Sequence, residues 1–150
     1  MNLKNFTIKS QEAIQEAQNI AIANDQQAIE NGHLLKGIFA VDENVTPYIF
    51  KKLNVNATMF TKALDKIVES YPKVTGASPY LSTNANQAIV KASTFLKDFK
   101  DEFVSIEHLI LGILASGDSV SGMMKDMVAR LQLSDTILKC CLMFFQTHQH

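Results

Sequence analysis

The chain aligns with itself when it is shifted by 75 positions, and this internal repeat constrains the fold more than any other sequence feature. Identical residue pairs recur in register: Ala13-Ile14 with Ala88-Ile89, His33-Leu34 with His108-Leu109, and Gly37-Ile38 with Gly112-Ile113. After a three-residue insertion in the second copy, Leu53-Asn54-Val55 meets Leu131-Gln132-Leu133. Two similar copies in one short chain predict two similar units that share a core.

Hydrophobic periodicity predicts helices in each copy. Apolar residues spaced as on one helix face predict the first helix and its twin: Ala13, Ile14, Ala17 and Ala21, then Ala88, Ile89, Ala92, Phe95, Leu96 and Phe99. The first helix has a predicted cap at Thr7, whose side-chain oxygen can accept a backbone N–H of the first turn. Its twin has a predicted cap at Ser82 or Thr83. The second helix and its twin, near residues 33–39 and 108–114, are apolar on nearly all sides. That pattern is typical of a helix at the centre of a bundle.

Two glycines lie in the middle of these central helices. Gly37 and Gly112 occupy equivalent positions, and each costs about 1 kcal/mol relative to alanine. The same cost paid in both copies predicts that another helix crosses closely at each glycine.

The remaining helices are marked mainly by their caps. Thr46-Pro47 predicts the start of a third helix that runs to Leu53, with a twin at residues 123–131. Asn56 and Ser134 are the predicted caps of a fourth helix and its twin. Residues 71–79 are rich in turn formers, and no segment shows convincing strand alternation.

The resulting prediction is one all-α domain over residues 1–150. It has about eight helices in two four-helix repeats related by a pseudo-twofold axis. The first repeat covers about residues 5–70, the connector about 71–79, and the second repeat about 80–145.

Charge and hydropathy exclude several classes of partner. The formal net charge is −1 and the lysines are scattered, so no basic stripe is present to bind nucleic acid. The longest apolar run, residues 140–145, is far shorter than the ~20 residues that span a bilayer. The first twenty residues lack an apolar signal-peptide core. We therefore expect a cytoplasmic protein with no nucleic-acid or membrane partner.

The sequence shows no catalytic or metal-binding constellation. His33 and His108 are the tempting pair, but no H-E-x-x-H or C-x-x-C pattern surrounds them, and repeat symmetry explains both as packing residues. We interpret Cys140 and Cys141 as small apolar residues of a helix. No nucleophile elbow and no phosphate-binding glycine loop occur. We expect no enzyme, no metal and no cofactor in this chain; an enzyme would need a polar pocket that joins one of the histidines to an acid such as Glu107.

The doubled motif resembles the Clp amino-terminal domain of the ClpA, ClpB and ClpC unfoldases. The matching stretches are Phe6-Thr7, Ala13-Ile14-x-x-Ala17, Ile29-Glu30-x-x-His33-Leu34-Leu35-x-Gly37-Ile38 and residues 103–114. The resemblance covers about residues 1–145 and is greatest to the ClpB disaggregase branch, through residues 26–30. It implies a non-catalytic domain that recruits unfolded or aggregated polypeptide, or an adaptor protein, to the ATPase ring of its parent protein. ATP and Mg²⁺ would belong to the modules that form this ring.

The resemblance also implies a set of binding residues. Thr7, Asp101 and Glu107 match polar residues implicated in the ClpB branch, and Ile89, Phe95 and His108 match an apolar groove. Plainer roles exist for most of them. Thr7 can be a helix cap, Glu107 can complement a helix dipole, and Asp101 can be a solvated charge. Ile89 and Phe95 continue an amphipathic stripe that favours core packing.

Two departures from the family pattern leave alternatives open. The ClpC branch carries Thr-Glu-His in both copies, whereas here Gly32 replaces the first glutamate, which places an arginine-phosphate function in doubt. Residues 140–150 are more apolar than the charged fourth helix of such domains. The alternatives are the N-domain of a ClpA- or ClpC-type unfoldase and a free-standing adaptor.

Overall fold

The structure is a computed structural model that describes residues 3–96 and 102–130, with side chains described as far as residue 127. Its helices are α1 (Ile8–Ala23), α2 (Asn31–Val41), α3 (Val45–Leu53), α4 (Ala57–Glu69), α5 (Thr83–Thr94), α6 (Ile106–Ala115) and α7 (Ser119–Arg130). The predicted all-α class is confirmed. The predicted cap Ser134, the helix after it, and Cys140 and Cys141 lie outside the described residues.

The expectation of no strand is wrong in detail. Two strands of two residues each, β1 (Ala28–Ile29) and β2 (Tyr80–Leu81), pair in parallel. A single parallel bridge joins Phe6 to Val104. Shifting Phe6 and Val104 by 75 positions in opposite directions gives Leu81 and Ile29, so the bridge is the pseudo-symmetric counterpart of the strand pair. Strands this short contain no measurable alternation, and the sequence pattern therefore did not reveal them.

Three predicted caps are confirmed. The Ser10 N–H donates to Thr7 Oγ1 at 3.1 Å, the Ala85 N–H to Ser82 Oγ at 3.0 Å, and the Met59 N–H to Asn56 Oδ1 at 3.1 Å. The cap of α5 is thus Ser82 rather than Thr83. Each oxygen satisfies a backbone donor that the helix itself cannot satisfy.

The predicted starts of two helices are wrong. Thr46 does not cap α3, because the Asp42 carboxylate accepts the Val45 and Thr46 N–H groups at 3.0 and 2.6 Å. Pro47 lies in the first turn as expected. Helix α7 begins at Ser119, four residues before the predicted Met123. Its first turn has one apolar residue, Val120, which is too few to form a visible stripe. Asp118 accepts the Ser121 N–H at 3.0 Å.

Helices α2 and α6 lie at the centre, as their hydrophobicity predicts. Residues from Ile106 to Leu114 are all buried in α6, and α2 contributes the fully buried Leu35 and Ile38. A Cβ added at Gly37 would overlap the Ala13 carbonyl oxygen of α1, and one added at Gly112 would overlap the Ala88 carbonyl oxygen of α5. The predicted close helix crossings are confirmed at both glycines.

Candidate functional site

The backbone brings the starts of α1 and α6 together. The Thr7 N–H donates to the Val104 carbonyl at 3.0 Å, and the Val104 N–H donates to the Asn5 carbonyl at 2.7 Å. These bonds place the residues just before α1 beside the residues just before α6. The N-termini of α1 and α6, with their positive dipole ends, therefore lie side by side.

Thr7 is a helix cap at this edge. Its Oγ1 accepts the Ser10 N–H and donates to Ser10 Oγ at 2.9 Å. The side chain is half-buried, so one face of the threonine remains at the surface. The cap role is confirmed, and a direct role in binding stays a prediction.

Glu107 and His108 are held by Ser105 at the start of α6. The Ser105 N–H donates to His108 Nδ1 at 2.8 Å, which requires an unprotonated Nδ1. The Ser105 hydroxyl donates to Glu107 Oε2 at 2.5 Å and lies 2.8 Å from His108 Nδ1. Glu107 is 7% exposed and His108 is fully buried. Glu107 thus lies just below the surface. The buried His108 ring caps the start of α6 by accepting the Ser105 N–H.

His33 repeats this arrangement in the first copy. The Glu30 N–H donates to His33 Nδ1 at 2.9 Å, and His33 Nε2 lies 2.6 Å from Gln26 Oε1. Burial of the ring, together with the charge of Lys36, lowers the pKa of His33 from 6.5 to about 4. A neutral, fully bonded imidazole in the core supports the packing role that the repeat predicted for His33.

The residues of the expected apolar groove are divided between interior and surface. Ile89 is buried in a close-packed seam between the two copies, where it meets Ile14 and Leu109. Phe95, the C-cap residue of α5, is half-buried against the core. Asp101 lies outside the described residues. Of the six predicted binding residues, Thr7 and Phe95 therefore show part of their side chain at the surface, and Ile89, Glu107 and His108 lie beneath it.

Sequence reasoning missed two exposed apolar residues beside the backbone crossing. Phe103 directly precedes Val104 and is 50% exposed, and Ile8 directly follows Thr7 and is 74% exposed. Singly exposed apolar side chains are common on protein surfaces, and it is their position beside the starts of α1 and α6 that makes these two candidates for contact. Their position in the sequence was visible, but their exposure depends on the pairing of the two copies.

An apolar cavity of about 60 Å³ lies elsewhere, among α2, α3, α4, α6 and α7. Phe50, Phe60 and Met124 are among its lining residues. It is small beside the ~150 Å³ cavity that accommodates benzene in a protein core. The described residues show no cluster of histidine, cysteine and acidic side chains able to hold a metal, and among them no helix has the length and hydropathy of a membrane span.

The family model of the Clp repeat (R) N-terminal domain matches residues 5–127. The chain belongs to this family. The chaperone protein ClpB of Bacteroides thetaiotaomicron is 49% identical over 126 residues, which are 84% of this chain and 15% of the relative. ClpB of Porphyromonas gingivalis is 40% identical over 139 residues, 93% of this chain and 16% of the relative. The chain spans only about a sixth of the length of these ClpB relatives.

Solved structures show the same Clp repeat fold. The Hsp104 N-terminal domain from Candida albicans superposes with a TM-score of 0.70 at 19% identity, covering 92% of this chain and 89% of the other. The N-terminal domain of the ClpV1 ATPase from E. coli gives a TM-score of 0.74 at 15% identity, covering 91% and 83%. At these identities the likeness concerns the fold alone.

Tyr71 fills the place where a ClpC-type Clp repeat would carry its first glutamate. The Gly32 N–H donates to Tyr71 Oη at 3.2 Å, and a Cβ added at Gly32 would lie 2.7 Å from that oxygen and 2.8 Å from a Val68 methyl. A longer side chain at Gly32 would have to displace Tyr71. The first copy therefore lacks both the acid and the space for it.

Proposed function

We propose that this Clp repeat domain is the non-catalytic receptor domain of a ClpB-type chaperone in the cytoplasm. It recruits unfolded or aggregated polypeptide, directly or through an adaptor, to the ATPase ring of its parent protein. ATP and Mg²⁺ act in that ring and not in this domain. The observation that carries the proposal is the 49% identity to a ClpB that extends far beyond the matched region.

The edge where α1 and α6 begin is the proposed contact surface. Ile8 and Phe103 provide exposed apolar area at this edge, and Phe95, half-buried at the end of α5, is a further proposed contact. The half-buried Thr7 at the start of α1 provides a polar contact. Such a surface binds extended apolar segments weakly and with little sequence preference.

The buried members of the predicted site have a supporting role in this proposal. Ile89 packs the seam under α5, and His108 holds the start of α6 through Ser105. Thr7, Asp101 and the 7%-exposed Glu107 remain the proposed polar contacts. Substituting the buried residues would change the shape of the surface rather than remove a direct contact.

The test is an NMR titration of the domain with an unfolded model polypeptide, comparing two aromatic variants. Phe103 and Tyr80 are 50% and 55% exposed, and each lies three residues before the first residue of a helix, α6 and α5 respectively. Phe103→Ser is expected to weaken binding by about fivefold or more, because it removes apolar area that the client covers. Tyr80→Ser is the matched control and should leave the affinity unchanged.

The cap requires its own control, because losing Thr7 also weakens α1. Thr7→Ala and Ser82→Ala each remove one confirmed helix cap and should cost similar stability, about 1 kcal/mol. Weaker client binding in Thr7→Ala alone supports a contact at the α1 edge. Equal losses in both variants would contradict a contact at the α1 edge. The absence of chemical-shift changes with the parent domain would contradict direct recruitment and favour adaptor docking.

A further inference from the structure

The sequence contains one Asn-Gly dipeptide, Asn31-Gly32, and it forms the first two residues of α2. Asn-Gly is chemically unstable in a mobile chain. The glycine backbone nitrogen attacks the asparagine side-chain carbonyl carbon, ammonia leaves, and a succinimide ring forms. Water then opens the ring to aspartate or isoaspartate. Glycine permits the reaction because it has no Cβ to hinder ring closure and gives the backbone the freedom it needs.

The folded structure restrains every group that this reaction uses. Asn31 is fully buried, and its backbone is held in the helix. The attacking nitrogen of Gly32 is engaged, since its N–H donates to Tyr71 Oη. The leaving amide is engaged as well, since Asn31 Nδ2 donates to Ser116 Oγ at 2.9 Å and to Asp118 Oδ2 at 2.8 Å.

Asn31 is also a link between the two copies. It belongs to the first copy, whereas its partners Ser116 and Asp118 belong to the second. A further long contact of 3.4 Å runs from Nδ2 to the Asn84 carbonyl at the start of α5. All three partners are acceptors placed for an amide N–H₂ group, and a carboxylate has no hydrogen to donate.

We propose that Asn31 is a deamidation site that the folded domain protects and unfolding exposes, and that the acid formed there blocks the return to native packing. The amide C–N bond breaks and ammonia leaves with the proton of the Gly32 nitrogen, and one water molecule completes the product. No oxidant, cofactor or enzyme is required. The proposal is independent of client binding.

The product conflicts with the native site electrostatically. A carboxylate oxygen in place of Nδ2 would face Asp118 Oδ2 across the 2.8 Å that now separates donor from acceptor. Two buried carboxylates at this distance repel each other and lose the hydrogen bond that joined the copies. The Asn31 Oδ1 has no hydrogen-bond donor among the described residues, so the second carboxylate oxygen would also lack one.

The first experiment measures the protection. Native and urea-unfolded protein are held at mildly alkaline pH for equal times, and peptides are analysed by mass spectrometry for conversion of Asn31. We expect conversion in urea to be at least about tenfold faster than in the native protein. Equal rates in the two states would overturn the claim that the fold protects Asn31.

The second experiment tests the consequence with Asn31→Asp, Asp118→Asn and the double variant. Asn31→Asp should lower the population of native protein, measured by circular dichroism and urea unfolding. The double variant restores one amide and one carboxylate in exchanged positions and should recover most of the lost stability. Native-like stability in Asn31→Asp, or no recovery in the double variant, would overturn the proposed block.

Discussion

Replacing Gly112 with alanine is expected to destabilise the domain, although alanine is the better helix former. The new Cβ would overlap the Ala88 carbonyl oxygen and would lie 3.0 Å from the Cβ and the backbone nitrogen of Ala92. These atoms belong to α5, and two of the three are backbone atoms that cannot rotate away. The two helices would have to move apart.

The expected size follows from two opposing contributions. Removing a mid-helix glycine gains about 1 kcal/mol of helix propensity. Overpacking a core costs about 1–3 kcal/mol, and the rigid backbone neighbours favour the upper part of that range. The net loss in the free energy of unfolding is therefore about 1–2 kcal/mol, which corresponds to a Tm lowered by about 2–8 °C for a domain of this size.

The assay is urea and thermal unfolding followed by circular dichroism, with Gly37→Ala and Gly122→Ala beside Gly112→Ala. Gly37 makes the equivalent crossing with Ala13 and should respond like Gly112. Gly122 lies within α7, where an added Cβ meets no atom of the described residues within 4 Å. Its replacement should stabilise the domain by up to about 1 kcal/mol.

The pattern across the three variants decides the outcome. If Gly112→Ala or Gly37→Ala were as stable as the parent, the glycines would not be required by helix crossing. If all three variants were destabilised equally, the effect would come from glycine flexibility rather than from the close approach to α1 and α5.

Three further changes have calculable effects. The free energy of unfolding should fall by up to about 3 kcal/mol as the pH drops from about 6.5 towards 4, because the unfolded state binds a proton on His33 that the folded state excludes. His33→Asn should make the urea midpoint less dependent on pH over this range. An unchanged pH dependence of the midpoint in this variant would contradict the prediction. Asp42→Ala should lower the free energy of unfolding by about 1–2 kcal/mol and speed amide hydrogen exchange at the start of α3. Asp42→Asn should have a smaller effect on both. Unchanged exchange in Asp42→Ala would show that Asp42 does not cap α3. The Lys36 and Asp65 side chains form an ion pair and are 31% and 39% exposed. A double-mutant cycle should give a coupling free energy of less than about 1 kcal/mol for this pair. A larger coupling would show that the pair is desolvated.

Local signals account for the features that were predicted correctly. The caps Thr7, Ser82 and Asn56 act on N–H groups three residues ahead, so the relevant geometry is contained in a few adjacent residues. The glycine crossings were predictable because the same unfavourable residue recurs at Gly37 and Gly112, and repetition separates a structural requirement from chance.

The errors occur where a local pattern is weak or misleading. The sequence pattern predicted Thr46 as the cap of α3. The cap is instead Asp42, three residues before the helix, because its carboxylate accepts several N–H groups at once. The first turn of α7 has Val120 as its one apolar residue, so periodicity did not reveal where the helix begins. For the candidate site, the sequence identified the helix starts but not which side chains reach the surface there.

The sequence by itself determined the class of domain, because a repeat, helical periodicity and capping residues are written in the order of the amino acids. Only the tertiary structure decided how the two copies are joined. The bridge between Phe6 and Val104 and the bond between Asn31 and Asp118 connect residues far apart in the chain. The burial of Glu107 and the exposure of Phe103 depend on the same packing. Solvent accessibility is a property of the packed whole, and no local pattern contains it.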